Sequence, residues 1–456
     1  MGRVASLHTN AKWLLVISTI FNLSIALSNT FVNVYLWKVD KTYGSIALYN
    51  LLLYIILPLT FLVSGFFAGK IGAVWTLRIG ILWHVAFYAV TLIGGEAVAK
   101  MPYILGIVMG CAAGMYWFSF NALSLRFTND GKRDGFFGLN GVTGAVAGML
   151  APPTAGFLIS REDRLVGPIT GYHLVFALSL GLFVLATFVT TKIRVHAHEP
   201  RLRMSIAFSS LRHRWWRLLM VGCTAYGIRE GVFMFLIGLL IYVSTQSEMR
   251  LGEFALMQSA LSFVSFYVVG RIVRPRNRLK VLKIGALCMA GAALFFLLPI
   301  RPMTIVLYGC VLALVLPLFL VSLQGFVFDG ISALSRASAE EEAEVGTPSA
   351  NNEQIILREI FENVGRVIGI LGFLILVKTR PGAGFVPTMA VGLGFTQLLT
   401  WFFLQKSGIE AVCTGSEDRD ARSKVVPSGR PVWSMQNEEA SRPPRGLRST
   451  SRRSPR

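Results

Sequence analysis

The sequence predicts an all-α membrane protein whose twelve transmembrane helices form two pseudo-symmetric six-helix lobes. Three observations predict it: long charge-free apolar windows, a one-sided placement of Lys and Arg, and an internal repeat. Of 456 residues, 54% are hydrophobic and only 15% charged, and the mean hydropathy is +0.58. Soluble domains carry roughly a quarter charged residues. Here the charges collect between windows such as Leu14–Val34, Ser45–Ala68 and Met101–Leu125, which carry none. Helical windows of about 20 residues match a bilayer core, and the lack of strict alternation excludes a β-barrel.

Taken in order, the spans are predicted at 12–37, 44–68, 76–95, 102–125, 137–160 and 170–191, then 217–244, 253–273, 280–299, 303–326, 357–377 and 383–405. The first six make an N-terminal lobe over 1–191 and the last six a C-terminal lobe over 217–405. An even number places both termini on one side. Up to the tenth span, loops on that side hold 20 Lys and Arg against 7 on the other. The positive-inside rule therefore predicts cytoplasmic termini in a plasma (cell inner) membrane. The net charge of +20 follows from these loops and a basic tail, so no nucleic acid partner is needed. Between the lobes, 192–216 carries Met204, Phe208, Leu211 and Trp215 at i, i+4, i+7 and i+11, the pattern of an amphipathic helix on the inner leaflet. Residues 406–456 are rich in Arg, Ser, Pro and Gly without apolar periodicity, and are expected to be disordered.

The repeat consists of short matches in the right order. Gly69-Lys70-Ile71 recurs as Gly270-Arg271-Ile272, Arg78-Ile79-Gly80 as Lys283-Ile284-Gly285, and Ser119-Phe-Asn121 as Ser322-Leu-Gln324. Arg133-Asp134-Gly-Phe136 recurs as Arg358-Glu359-Ile-Phe361, its larger offset accounted for by the acidic segment Ala339–Asn352. Such a repeat is the mark of parallel halves.

Gly65-Phe-Phe-Ala-Gly69-Lys70-Ile-Gly72 is similar to the loop motif between helices 2 and 3 of the major facilitator superfamily (MFS) of secondary transporters. Gly69 stands where that family has an acidic residue, and Ala73 and Val74 where it has basic ones. The tract Gly138…Gly144…Gly148…Ala151-Pro152-Pro153-Thr-Ala155-Gly156 is similar to the helix 5 motif of proton-coupled antiporters. The chain resembles this family over about residues 10–405. The resemblance implies rocking of two lobes about a midplane cavity lined by helices 1, 4, 7 and 10, and the helix 5 tract leans toward export of drugs or other amphiphiles.

Polar residues inside a span are expensive and point to function. In span 1, Asn22, Asn29 and Asn33 share one face. They either line a substrate cavity or hydrogen-bond neighbouring helices. Tyr116 and Asn121 of span 4, Tyr226 of span 7 and Gln324 of span 10 join them as cavity candidates. Arg229 and Glu230 lie near mid-span and point about 100° apart, so each is expected to pair with another helix rather than with its neighbour. Burial disfavours an ionised carboxylate and a nearby cation favours it. Glu230, set between the two influences, is the first candidate for proton binding; a static charge pair locking the lobes is the alternative. Glu362 and Arg366 sit at i, i+4 in the favoured order. His84 is expected to be structural, with a proton relay as the alternative. Lys70, Arg133, Asp134, Arg358 and Glu359 are gate candidates at the cytoplasmic surface.

No GxxxxGK[ST], GxSxG or HExxH occurs, so neither ATP-driven pumping nor an enzyme is expected. The five cysteines form no metal-ligand spacing, and no metal, cofactor or disulfide is expected. The reading is a monomeric secondary transporter in the lipid bilayer, carrying a small-molecule or amphiphilic substrate, proton-coupled. A lipid or glycolipid flippase of the same fold, a transporter-like sensor or scaffold, and an uncoupled facilitator are the rival readings.

Overall fold

The computed structural model describes residues 8–128, 130–165, 170–193, 202, 204–299, 301–341, 350–379, 384 and 386–411. Twelve helices in it are long and apolar enough to cross a membrane. In the first half they are α1 (Thr9–Asp40), α2 (Tyr43–Ile71), α3 (Ala73–Ala99), α4 (Pro102–Phe127), α5 (Asp130–Leu165) and α6 (Thr170–Val189). In the second half they are α7 (Arg214–Thr245), α8 (Glu248–Ile272), α9 (Arg278–Ala293), α10 (Pro302–Glu341), α11 (Ala350–Thr379) and α12 (Val386–Ser407). No strand occurs among the described residues. The chain is a multi-pass membrane protein.

Among the boundaries that depart from the sequence reading, two do so for clear local reasons. The third span, expected to end at residue 95, continues to Ala99, but Gly95 takes φ 49°, ψ −132° and redirects the last turn. Only glycine enters that region at low cost. The tenth span, expected to end at residue 326, runs on to Glu341. The segment Ser332–Glu341 is rich in Ala, Leu and Glu, good helix formers, with no Gly or Pro to stop it. The acidic segment Ala339–Asn352 is thus helical at its start, and its centre lies outside the described residues.

The internal repeat is visible in the packing. In the first half α1 packs on α5 and α6, α4 on α2 and α3, and α6 on α3. In the second half α7 packs on α11 and α12, α10 on α8 and α9, and α12 on α9, the same pattern displaced by six. The main contacts between halves, α5 with α8 and α2 with α11, are exchanged by that displacement too. The repeat extends to the turns. Lys41 (φ 57°) ends α1 and Gln246 (φ 50°) ends α7, both left-handed. The next residue caps the following helix: Thr42 Oγ1 accepts from the Ser45 N–H at 3.3 Å, and Ser247 Oγ from the Arg250 N–H at 3.4 Å. A left-handed terminator followed by a Ser/Thr cap makes a tight reversal between antiparallel helices.

α1 begins and α12 ends on one face, called proximal below; the α1–α2 turn lies on the distal face. The linker helix Met204–Ser210 is shorter than expected. Its buried residues are Ala207 and Ser210, whereas Phe208, expected on its apolar face, is exposed. Ser210 Oγ donates to Gln354 Oε1 of α11 at 3.1 Å, and Leu202 covers Gly65 of α2. The linker therefore straps the proximal ends of α2 and α11. The tail, from residue 412 on, lies outside the described residues.

Candidate functional site

The site rests on an unusually close helix pair. α7 carries Gly227 and Gly231, and α11 carries Gly365 and Gly369, each pair four residues apart and facing the other helix. A Cβ on Gly227 would stand 2.1 Å from the Glu362 carbonyl oxygen, and one on Gly365 2.0 Å from that of Thr224. Small residues at this spacing let membrane helices pack backbone to backbone. The packing brings Tyr226 and Glu230 of α7 within electrostatic reach of α11, Tyr226 of Glu362 and Arg366, and Glu230 of Arg366. The GxxxG spacing is plain in the sequence, with the charges Arg229, Glu230 and Arg366 lying between the glycines.

Glu362 is buried, 4% exposed, and both its oxygens are taken. Arg358 Nη2 lies 2.6 Å from Oε2 and Arg366 Nη2 2.5 Å from Oε1. Arg366 Nη1 also donates to Asn363 Oδ1 at 3.1 Å and lies 3.6 Å from Glu359 Oε1. Asn363 Nδ2 in turn donates to that Glu359 oxygen at 2.9 Å. Two cations and two carboxylates thus form a balanced ladder along α11. Its far end reaches the other half, where the Arg366 guanidinium lies 5.1 Å from the centre of the Tyr54 ring of α2.

Arg229 and Glu230 point apart, as the helix geometry requires. Arg229 is 2% exposed, donates from Nη2 to the Tyr308 hydroxyl of α10 at 2.8 Å and lies 4.5 Å over the Phe233 ring. It has no carboxylate partner among the described residues, and its Nε is without an acceptor. Glu230 is half-buried. It lies beside Tyr226 and within electrostatic reach of Tyr54, Arg366 and Tyr308.

The asparagine row of α1 divides. Ser18 Oγ donates to Asn140 Oδ1 of α5 at 2.5 Å, and Asn22, on the same face, lies near Gly144. Asn33 is buried, and its Oδ1 accepts from Asn50 Nδ2 of α2 at 2.9 Å, which is a bond between helices. Asn29 is half-buried with no hydrogen-bond partner among the described residues, and the same holds for Asn121 of α4 and Gln324 of α10. Tyr116 is buried and stacked on Phe21, with ring centres 3.3 Å apart. His84 is 1% exposed. Its Nδ1 bonds the Gly80 carbonyl at 2.8 Å, and its ring packs 4.9 Å from Phe21 and from Phe183.

Of the gate candidates, Lys70 is exposed, and Arg358 and Glu359 are engaged within the α11 ladder rather than across the halves. The side chains of Arg133 and Asp134 lie outside the described residues. A contact that the sequence reading missed joins the halves at the distal face. Lys38 Nζ of α1 lies 2.7 Å from Glu248 Oε1 of α8, whose side chain is 8% exposed. The Tyr172 hydroxyl of α6 donates to the same oxygen at 2.9 Å. Lys38 sits in the last turn of α1 and Glu248 in the first turn of α8, where the helix dipoles favour a cation and an anion. Read from sequence, both are ordinary turn charges, and nothing in their spacing joins them. Nearby, Gly156 and Gly252 let α5 and α8 touch: a Cβ on Gly252 would stand 2.7 Å from the Pro152 carbonyl oxygen. Ser259 Oγ of α8 donates to the Gly148 carbonyl at 3.0 Å.

A cavity of about 580 Å³ opens elsewhere, lined by Leu23 and Leu27 of α1, Leu150 and Leu158 of α5, and residues of α6; none of the candidate residues lines it. Among the described residues no group of three or more His, Cys, Asp or Glu stands together as a metal site. Cys111, Cys223, Cys288 and Cys310 are free thiols.

The sequence matches the Major Facilitator Superfamily profile over residues 15–372. It is 36% identical over 394 residues to "Uncharacterized protein YqgE" of Bacillus subtilis (strain 168), covering 86% of this chain and 88% of that one. In three dimensions it is similar to the crystal structure of the nucleoside transporter NupG, with a TM-score of 0.63 and 12% identity over 88% of this chain and 99% of that one. It is also similar to the E. coli fucose:proton symporter FucP, with a TM-score of 0.57 and 12% identity over 87% and 98%. At these identities the two structures speak for the fold.

Proposed function

The chain belongs to the major facilitator superfamily of membrane transporters, and on that premise we propose that it is a proton-coupled secondary transporter in which Glu230 carries the proton. The observation that supports this reading is the set Asn29, Asn121, Glu230 and Gln324. These are half-buried polar side chains on α1, α4, α7 and α10, and the three amides have no hydrogen-bond partner among the described residues. A polar group at membrane depth is tolerated where it meets protein or water, not lipid. A water-filled space between the halves satisfies all four. Glu230 borders it with Tyr226, and Arg366 over Tyr54 is the cation that responds when the carboxylate gains or loses charge. Arg229, held by Tyr308, is a fixed positive wall behind it.

The substrate in this reading is a small neutral solute rich in hydroxyl or amide groups. Each amide offers both a donor and an acceptor, and the α11 ladder cancels its own charge. The nucleoside and the fucose named for the two fold neighbours have this chemistry and stand first in a screen. Export of amphiphiles is the second reading, favoured by the Gly148–Gly156 tract that forms the close α5–α8 contact. The Lys38–Glu248 pair serves as a distal latch. The contacts between halves given by Tyr54 with Arg366, Ser259 with Gly148, Tyr43 with Phe373 and Lys38 with Glu248 run from the midpoint to that face. The reading therefore takes this conformation as open toward the proximal face. With the Lys and Arg bias, that face is cytoplasmic in a plasma membrane, and the unit is a monomer.

The test is a thermal-shift screen of the purified protein against sugars, nucleosides, amino acids and amphiphilic cations, at two pH values, for wild type and Glu230→Gln. A ligand of the native state raises its stability by mass action. The expected result is a hit whose shift depends on pH in wild type and not in Glu230→Gln. A hit with the same pH dependence in both proteins removes Glu230 from the coupling role.

A further inference from the structure

We propose that the proximal ends of α8, α9 and α12 bind the phosphate of an anionic phospholipid. The connection from α8 to α9 holds six cations in the thirteen residues Arg271–Lys283, and no acid. One of them, Arg278, is neutralised: its Nη1 lies 2.5 Å from Asp329 Oδ2 of α10. Arg271, Arg274, Arg276, Lys280 and Lys283 are exposed and have no carboxylate partner among the described residues. The positive-inside rule explains cations on this face, but not their concentration. The equivalent connection between α2 and α3 offers Lys70 and Arg78, and Arg78 is turned inward to Thr190, with Nε donating to Oγ1 at 3.2 Å.

The surroundings fit a lipid rather than a soluble anion. Arg271 lies 4.3 Å over the ring of Tyr267, itself 58% exposed, and bonds its hydroxyl. Lys283 Nζ lies 5.0 Å from the Trp401 ring of α12, and Lys406 Nζ 5.8 Å from the exposed Phe402 ring. Tyr and Trp mark the headgroup level of a bilayer, so their rings hold these cations at phosphate depth. Directly along the same helices Val268, Ile272 and Ile284 are exposed, an apolar wall for acyl chains. The α9 N-terminus adds its positive dipole end to the cluster. A phosphodiester with two acyl chains matches all of these features at once, whereas free phosphate uses only the charges.

The experiment uses the full chain in detergent, titrated separately with phosphatidylglycerol, with phosphatidylcholine of the same acyl chains, and with inorganic phosphate. The readout is the unfolding temperature of wild type, of Arg274→Gln/Arg276→Gln/Lys280→Gln, and of a control with three exposed cations removed elsewhere on the same face, Lys192→Gln/Arg212→Gln/Arg214→Gln. Each cation near an anionic headgroup is worth about 1 kcal/mol, or about fivefold in affinity. The patch variant should therefore need roughly 100-fold more phosphatidylglycerol for the same shift, while wild type and control respond alike. An unchanged response in the patch variant, an equal effect of phosphatidylcholine, or a shift reproduced by inorganic phosphate overturns the proposal. Should the triple variant not fold, native mass spectrometry of Arg276→Gln decides: about fivefold weaker retention of phosphatidylglycerol supports the site, and undiminished retention overturns it.

Discussion

Glu248→Gln is the most direct probe of how the halves are held. The side chain of Glu248 is 8% exposed and that of Lys38 17%, with Nζ and Oε1 2.7 Å apart and the Tyr172 hydroxyl on the same oxygen. Removing one partner of a buried pair costs about 3–5 kcal/mol, because a charge is left in a poorly solvated place. Lys38 also lies 4.9 Å from the Tyr172 ring and can extend its stem toward the distal surface, which argues for the lower figure. A loss of about 3 kcal/mol from the distal-closed state alone shifts its population by about two orders of magnitude. The whole effect falls on that state because the pair joins α1 to α8, one helix from each half. Spin labels at Lys100→Cys and Arg301→Cys, exposed on the distal turns of opposite halves, measure the separation by pulsed dipolar spectroscopy in a background lacking the native cysteines. Wild type should show one short distance, and Glu248→Gln a second, longer population of comparable weight. A single unchanged distance in the variant refutes the latch, since a pair that can be lost without opening does not hold the face shut.

Other outcomes follow from the same geometry. Gly365→Ala puts a Cβ 2.0 Å from the Thr224 carbonyl oxygen, so α7 and α11 must separate; the expected cost is about 3 kcal/mol, read as a lower unfolding temperature in detergent. An unchanged unfolding temperature means the two backbones are not in contact. Asn33→Ala and Asn50→Ala, alone and together, should give a coupling energy of about 0.6 to 1.7 kcal/mol in a double-mutant cycle. Strictly additive losses would mean that the two amides are not bonded. His84→Gln should lower stability by about 1 kcal/mol through lost ring packing on Phe21 and Phe183. It should leave the pH dependence of ligand-induced stabilisation as in wild type; a changed pH profile makes His84 a participant in proton transfer.

The fold was legible in the chain because its determinants are local or periodic. Apolar windows such as Ser45–Ala68 must be helical in a bilayer, since no other open structure satisfies the backbone there. Short echoes such as Gly69-Lys70-Ile71 and Gly270-Arg271-Ile272 were enough to set two halves in register, and the packing pattern repeats with the same displacement. That Arg229 and Glu230 face different neighbours also followed from helix geometry alone. The neighbours themselves did not. Tyr308 for Arg229, Asn50 for Asn33, Tyr54 for Arg366 and Glu248 for Lys38 lie on other helices, and a side-chain pair across a crossing depends on helix rotation and depth. Those quantities are fixed by backbone contacts at Gly227, Gly365 and Gly252, which sit within a few residues of the charges but touch backbone a hundred or more residues away in the sequence. A charge at a turn therefore looks solvated in the sequence, and only the approach of two helices decides that it is buried and paired.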